Sequence, residues 1–346
     1  MSEASRRIFG QALAVLFALM LGTVVIIIVG ESPVRVFATL FEGAFGSPER
    51  IAGTLLQTTP ILVCGVAACI SFRGGLFNIG VEGQLFMGGF AAVLVGIYIP
   101  LPPLFHVLLG IAVAMAAGMA WIAIPAFFRA RYNANEVVST ILSNYVAVLL
   151  TSYFTIFIFK RPGGWSETSQ ILPSAYLPEI FSFSRLNWGL VVGLVLAVGV
   201  HLYFRHTPRG YAVTIMGQNV KFAEYGGVDI RRHIMMVLLA SGAVGGLAGG
   251  IEALGVHHRF MEGFAPGFGF DGVIAALLAN GHPIGTIGTA LFFGALRSGS
   301  LLLEVDTNAS REIITVIQAL IILSVSAEFI MRRRGDSMAA ERRWKF

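Results

Sequence analysis

The chain has 346 residues, 56% of them hydrophobic and only 12% charged, with a net charge of +5. A soluble domain carries roughly twice that share of charge, so the composition excludes one and specifies an all-α polytopic membrane protein. The positive charge is no nucleic-acid signature, because it gathers at the ends of apolar segments.

Arg6 and Arg7 precede the first apolar run, 8–29, which is long enough to span a bilayer. No small-residue cleavage site follows it, so it reads as a retained helix and not as a removed signal peptide. Further apolar runs cover 51–72, 85–99, 104–128, 137–159, 190–204, 233–256, 269–279, 284–303 and 313–331. That makes about ten transmembrane helices. With the N-terminus in the cytoplasm and every run crossing, sixteen Lys and Arg fall inside and seven outside, with Arg297 inside a helix. This is the positive-inside bias. If the short run 269–279 merely re-entered, Arg332, Arg333 and Arg334 would end up outside, so it is assigned as a crossing.

Ten crossings divide five and five at an outer loop rich in Pro, Gly and Ser. The expected organisation is a first half at 1–160, an extracytoplasmic loop at 161–187, a second half at 188–334 and a cytoplasmic tail at 335–346. One half starts inside and the other outside, so the two are inverted repeats with both termini in the cytoplasm. Cys64 and Cys69, five apart on different helix faces, imply neither a disulfide nor a metal site.

The stretch 73–84, Arg-Gly-Gly-Leu-Phe-Asn-Ile-Gly-Val-Glu-Gly-Gln, lies between two apolar runs and breaks the helix with glycines. Unwound polar backbone at membrane depth is tolerated only where protein buries it or a cavity hydrates it. A second stretch of this character, 267–272, reads Gly-Phe-Gly-Phe-Asp-Gly. Gly-interrupted segments at matching positions of two halves point to a transporter's binding site. The candidate solute pathway is therefore Phe77, Asn78, Glu82 and Gln84 with Phe270 and Asp271. Glu82 and Asp271 are expected to accept hydrogen bonds from a solute; the structural alternative pairs them with a cation or makes Asp271 an N-cap. Asn78 offers both donor and acceptor. Phe77 and Phe270 either stack on a flat ring or simply pack.

The region 205–232 is neither polar enough for disorder nor apolar enough to span. Gly217 and the Gly226-Gly227 pair bracket a segment in which Phe222 and Tyr225 are candidate anchors and Ala223 is small enough to enter a partner's groove. It reads as short helices docking on a partner, or else as an amphipathic helix on the membrane surface. The Gly-rich stretch 241–250 carries small residues four apart and reads as helix packing. His257 and His258 have no acid or thiol at ligand spacing, so no metal is expected. Without a G-x-x-x-x-G-K-[ST] loop the chain does not itself hydrolyse ATP by that route; it is read as a transport subunit with no cofactor of its own.

Four stretches carry a resemblance: 72–84; 135–141 with Asn144 and Tyr145; Gly217-Gln218-Asn219 with Ala223 and 225–228; and 269–278. Together they resemble the permease subunits of bacterial ABC importers in the branched-chain amino acid, ribose and nucleoside group. They are most similar to the nucleoside branch served by a basic membrane lipoprotein. The resemblance implies an inner-membrane permease that takes up a small solute, a nucleoside, with ribose-like sugars or branched-chain amino acids as alternatives. It also implies partner ATPase subunits that bind the ATP, a second, heteromeric permease and an extracytoplasmic substrate-binding lipoprotein. Gly217, Asn219, Phe222, Ala223, Tyr225, Gly226 and Gly227 would form the loop that couples to the ATPase. An ion-coupled secondary transporter is the alternative from another class; it too needs buried acids and broken helices, but no long docking loop. The chain departs from the family pattern at Ala279-Asn280, where Gly is usual, and at His257-His258-Arg259.

Overall fold

A computed structural model describes residues 20–28 and 30–306, with 316 and 319. Twelve α-helices are present among them. They are α1 (Met20–Ile28), α2 (Pro33–Phe45), α3 (Pro48–Arg73), α4 (Val81–Tyr98), α5 (Pro103–Tyr132), α6 (Glu136–Tyr153), α7 (Gly189–His206), α8 (Pro208–Gln218), α9 (Val220–Tyr225), α10 (Ile230–Glu252), α11 (Phe268–Leu278) and α12 (Pro283–Asp306). Short π-helical turns, Phe154–Ile158 and Ala253–His257, extend α6 and α10. Among the described residues only isolated β-bridges occur, all in the loops around 160–187 and 261.

Seven helices are long and apolar enough to cross a membrane, or eight if the bent pair α1 and α2 is one span. The runs expected at 51–72, 85–99, 104–128, 137–159, 190–204, 233–256 and 284–303 each coincide with one of the seven. Most of the run at 8–29 and all but isolated residues of the run at 313–331 lie outside the described residues. The run at 269–279 is α11, whose 11 residues rise about 16 Å, half of a roughly 30 Å hydrocarbon core. The amphipathic α2 was not expected from the sequence, since its polar face interrupts any apolar run.

The chain forms two compact units, Met1–Arg50 with Ala295–Phe346, and Ile51–Gly294. In the first, α2 meets the last turns of α12 through Gly43 and Gly299, and Glu42 pairs with Arg50 at 3.0 Å. In the second, α3, α4 and α10 are mostly buried, while α5, α6 and α7 expose long apolar faces. Lipid chains are as apolar as leucine, so helices there associate by close packing and not by the hydrophobic effect. The sequence supplies small residues for that purpose: a β-carbon on Gly246 would sit 2.2 Å from the Ala114 carbonyl oxygen, and one on Gly118 2.3 Å from that of Gly242. The stripe 241–250 thus wedges α10 between α4 and α5.

Helix ends follow local chemistry. Asn135, Thr207, Asn219 and Asp229 each cap an N-terminus with a side-chain oxygen, at α6, α8, α9 and α10. Helices α3 and α11 end in the same way, as do α5 at Asn133 and α9 at Gly227. Gly75 (φ +70°) after α3 and Asn280 (φ +52°) after α11 adopt the left-handed conformation, with Leu76 N–H bonded to the Ser71 carbonyl and Gly281 N–H to that of Ala276. This is the reversal that stops a helix with its last carbonyls satisfied. The departure from the family pattern, Ala279-Asn280, falls at this turn: Ala279 is the C-cap of α11 (φ −80°) and Asn280 takes the left-handed position.

Candidate functional site

The two broken stretches meet. The Glu82 carboxylate, in the first turn of α4, accepts the Gly267 N–H on one oxygen and the Gly269 N–H on the other, each at 2.6 Å. These N–H groups open α11 and have no partner within that helix. Two helix N-termini, each carrying roughly half a positive charge, thus converge on one buried carboxylate. The approach demands glycine: a β-carbon on Gly269 would lie 2.4 Å from the Glu82 backbone nitrogen. On its other side, α11 reaches α3, where a β-carbon on Gly272 would lie 2.4 Å from that of Cys64.

Asp271 lies in the first turn of α11, 6% exposed. It is not the N-cap that the sequence allowed; the cap position is Gly267 (φ +81°), because the chain arrives in a left-handed turn one residue before the helix. Glu252, 3% exposed near the end of α10, is a buried carboxylate that the sequence reading missed. Its signal was present, an acid within the apolar run 233–256. Glu82, Glu252 and Asp271 all lie within electrostatic reach of the Cys64 thiol.

Asn78 sits in the break itself and is fully buried. Its amide nitrogen donates to the Gln84 side-chain oxygen at 3.1 Å and to the Ser241 hydroxyl at 2.9 Å. Its oxygen accepts from Gly80 N–H at 2.9 Å and from the Gln84 amide at 3.1 Å. Both donors and both acceptor positions of Asn78 are filled, so in this conformation it bolts the break to Gln84 and α10 and offers nothing to a solute. Ser241 donates in turn to the Ala67 carbonyl at 2.6 Å. From α6, Asn144 donates to the Ile79 carbonyl and accepts the Gly83 N–H, both at 2.8 Å. Non-helical backbone in an apolar setting is stable only when such groups are paired, and here other helices pair them.

Phe77 and Phe270 remain 43% and 40% exposed. Phe77 also packs on Phe72 with ring centroids 5.1 Å apart. Near the break, Glu136 pairs with Arg129 at 3.2 Å, and Arg73 donates to the Gly281 carbonyl at 3.3 Å.

The stretch 205–232 is the end of α7, the short helices α8 and α9, and the start of α10. Gly217, in the last turn of α8, lies against the first break: a β-carbon there would be 2.2 Å from the Arg73 carbonyl oxygen and 2.7 Å from the Gly75 nitrogen. Asn219 caps α9 by accepting the Phe222 N–H at 3.0 Å. Gly226 and Gly227 (φ +81°) end it, with the Val228 N–H returning to the Ala223 carbonyl. Phe222 and Tyr225 point outward, 61% and 91% exposed. Ala223 does not join them; at 1% exposed it packs inside the chain, on the inner face of the short helix.

A broken, internally paired helix pair inside a bundle of apolar spans defines a multi-pass membrane permease. The family model "Branched-chain amino acid transport system / permease component" matches residues 50–326, and the chain belongs to that family. Similar relatives include the guanosine ABC transporter permease NupP of Bacillus subtilis, 34% identical over 92% of this chain and 93% of that protein. The glucose ABC transporter permease TsgB13 of Haloferax volcanii is 30% identical over 95% and 92%. The nucleoside ABC transporter permease NupB of Lactococcus lactis is 27% identical over 96% and 94%.

Proposed function

We propose that this chain is the permease subunit of an ATP-driven importer of nucleosides in the bacterial inner membrane. The similarity to NupP over nine-tenths of both chains carries the solute class. The similarity to a glucose permease at 30% makes a sugar the second reading. The arrangement is ten crossings in two inverted five-helix halves, 1–160 and 188–334, joined by the outer loop 161–187, with the tail 335–346 and both termini cytoplasmic. Equivalent placement of α4 and α11, each following a break after a buried helix and meeting at Glu82, supports the repeat. The partners are two ATPase subunits that bind ATP, a second and different permease, and an outer binding lipoprotein.

Coupling runs through contacts already in place. α9 presents Phe222 and Tyr225 to the ATPase, and large exposed aromatics of this kind dominate interfaces. Gly217 hands any displacement of α8 to the Arg73–Gly75 turn, which leads into Asn78 and Glu82. Shifting that turn strains the Asn78–Gln84 bolt and the Glu82 clamp together. Their parting opens the pathway lined by Phe77, Asn78, Glu82, Gln84, Phe270 and Asp271. Expression with its ATPase, second permease and lipoprotein in cells lacking other nucleoside uptake tests the substrate. Labelled guanosine should enter, and unlabelled nucleosides should compete while glucose and leucine do not. Competition by glucose alone would move the reading to a sugar importer.

A further inference from the structure

Loop 160–188 is built, not loose. Its Thr168 and Ile171 N–H groups bond the carbonyls of Phe260 and His258, each at 2.9 Å, and Leu177 N–H bonds that of Leu254. Antiparallel bridges join Glu167 to Met261 and Glu179 to Asn187. Between this loop and the end of α10 lies a cavity of about 440 Å³. That volume falls in the roughly 300–1,000 Å³ range of small-molecule sites. Its walls include Glu167, Glu179, Arg185, Arg259, His257 and His258.

The charges of those walls balance. Arg259 pairs with Glu167 at 2.8 Å, whereas Glu179 and Arg185 make no ion pair within 4 Å among the described residues. The cavity therefore offers one unspent acceptor and one unspent donor fork with no net field for an ion. His258, stacked face to face on Tyr176 at 3.9 Å, is held below its ordinary pKa, first by burial, and so stays neutral near pH 7. The rings of Phe260 and Phe264 stack at 4.6 Å and are buried, and the wall residue His257 packs against Phe264. His257 Nε2 lies 3.6 Å from the buried Glu252 carboxylate. The loop that forms the wall at His258 and Arg259 ends at Gly267, whose N–H is held by Glu82.

We propose that this cavity is a solute-receiving site for an uncharged polar molecule, gripped by Glu179 and Arg185. With the proposed importer of nucleosides, on which the choice of ligand rests, the occupant is a nucleoside and not a nucleotide. A phosphate would find Arg185 but also two carboxylates, and its charge would not be balanced.

Equilibrium binding of tritiated guanosine to the full-length chain in lipid nanodiscs tests this, with glucose as a second probe. Saturable guanosine binding is expected, with guanosine monophosphate a poor competitor. Arg185→Gln and Glu179→Gln should each weaken it roughly tenfold or more, the loss of one charge-assisted hydrogen bond. Arg185 and Glu179 are exposed, so either variant should still fold. Equal binding by both variants and wild type, equal competition by the monophosphate, or binding of neither probe overturns the site. So does a variant that binds guanosine normally but no longer holds the lipoprotein, which would make this a docking surface. If glucose binds instead and the variants weaken it, the site stands and the nucleoside reading falls. If cells import guanosine while the variants bind like wild type, the reading stands and the site falls.

Discussion

Glu82 ties the two broken stretches together. A carboxylate buried in apolar surroundings is costly unless its lone pairs are used, and two backbone N–H groups use them here. Glu82→Gln keeps the shape but leaves one N–H facing an amide that cannot accept from it, at a cost of about 1–3 kcal/mol. Thermal unfolding of the detergent-purified chain should shift down, and uptake should fall with it. Asn78→Ala should destabilise comparably, because it strands Ser241, Gln84 and the Gly80 N–H together. An unchanged melting temperature with lost uptake would instead make Asn78 a solute contact alone. The sequence made both residues visible as polar groups in apolar runs. It did not reveal their partners, which lie 185 and 163 residues away. Glu252 is an acid in an apolar run as well, but no glycine break flags it.

At the scale of elements, the glycines after Arg73 announced the first break correctly, and Gly267 rather than Asp271 set the second. That difference is physical: a left-handed residue at the cap position fixes where α11 starts, and period or composition does not encode it. That 205–232 folds into short helices was legible, but which of their residues face outward was not. Six residues are too few for an apolar pattern to choose a face. Ala223→Asp should therefore disrupt the chain's own packing and lower its yield. Tyr225→Asp, on an exposed side chain, should leave folding intact and release the ATPase in a co-purification assay. Retention of the ATPase by Tyr225→Asp would leave α8 and α9 as a membrane-surface element. Gly217→Ala should act differently, since a methyl meets the Arg73 carbonyl at 2.2 Å. The ATPase should stay bound while ATP hydrolysis no longer drives uptake. The start of loop 258–267 adds a pH dependence. His258 is held below its ordinary value of 6.5 by burial, then by Arg185 and Arg259, with Glu179 opposing. A depressed value means that stability is present above 6.5 and is lost as pH falls toward the lower folded value. Corrected for the intrinsic pH dependence of amide exchange, protection of this loop should fall between about pH 7 and pH 5.

For the whole molecule, the apolar runs made the seven described spans legible, while α2 stayed hidden because it is amphipathic. Orientation has a matched pair of reporters, since Trp165 and Tyr225 are both 91% exposed and both native cysteines are buried. With Trp165→Cys, an impermeant maleimide should label intact cells; with Tyr225→Cys, it should label only after permeabilisation. The reverse pattern would invert the topology. The central claim is that ATP, acting through α9, drives uptake by this chain. Its most direct measurement is guanosine accumulation in proteoliposomes holding the complete complex, with ATP on the α9 side and no ion gradient. Accumulation that requires ATP and persists with a proton uncoupler is the predicted result. Accumulation driven by a proton gradient without ATP would contradict it.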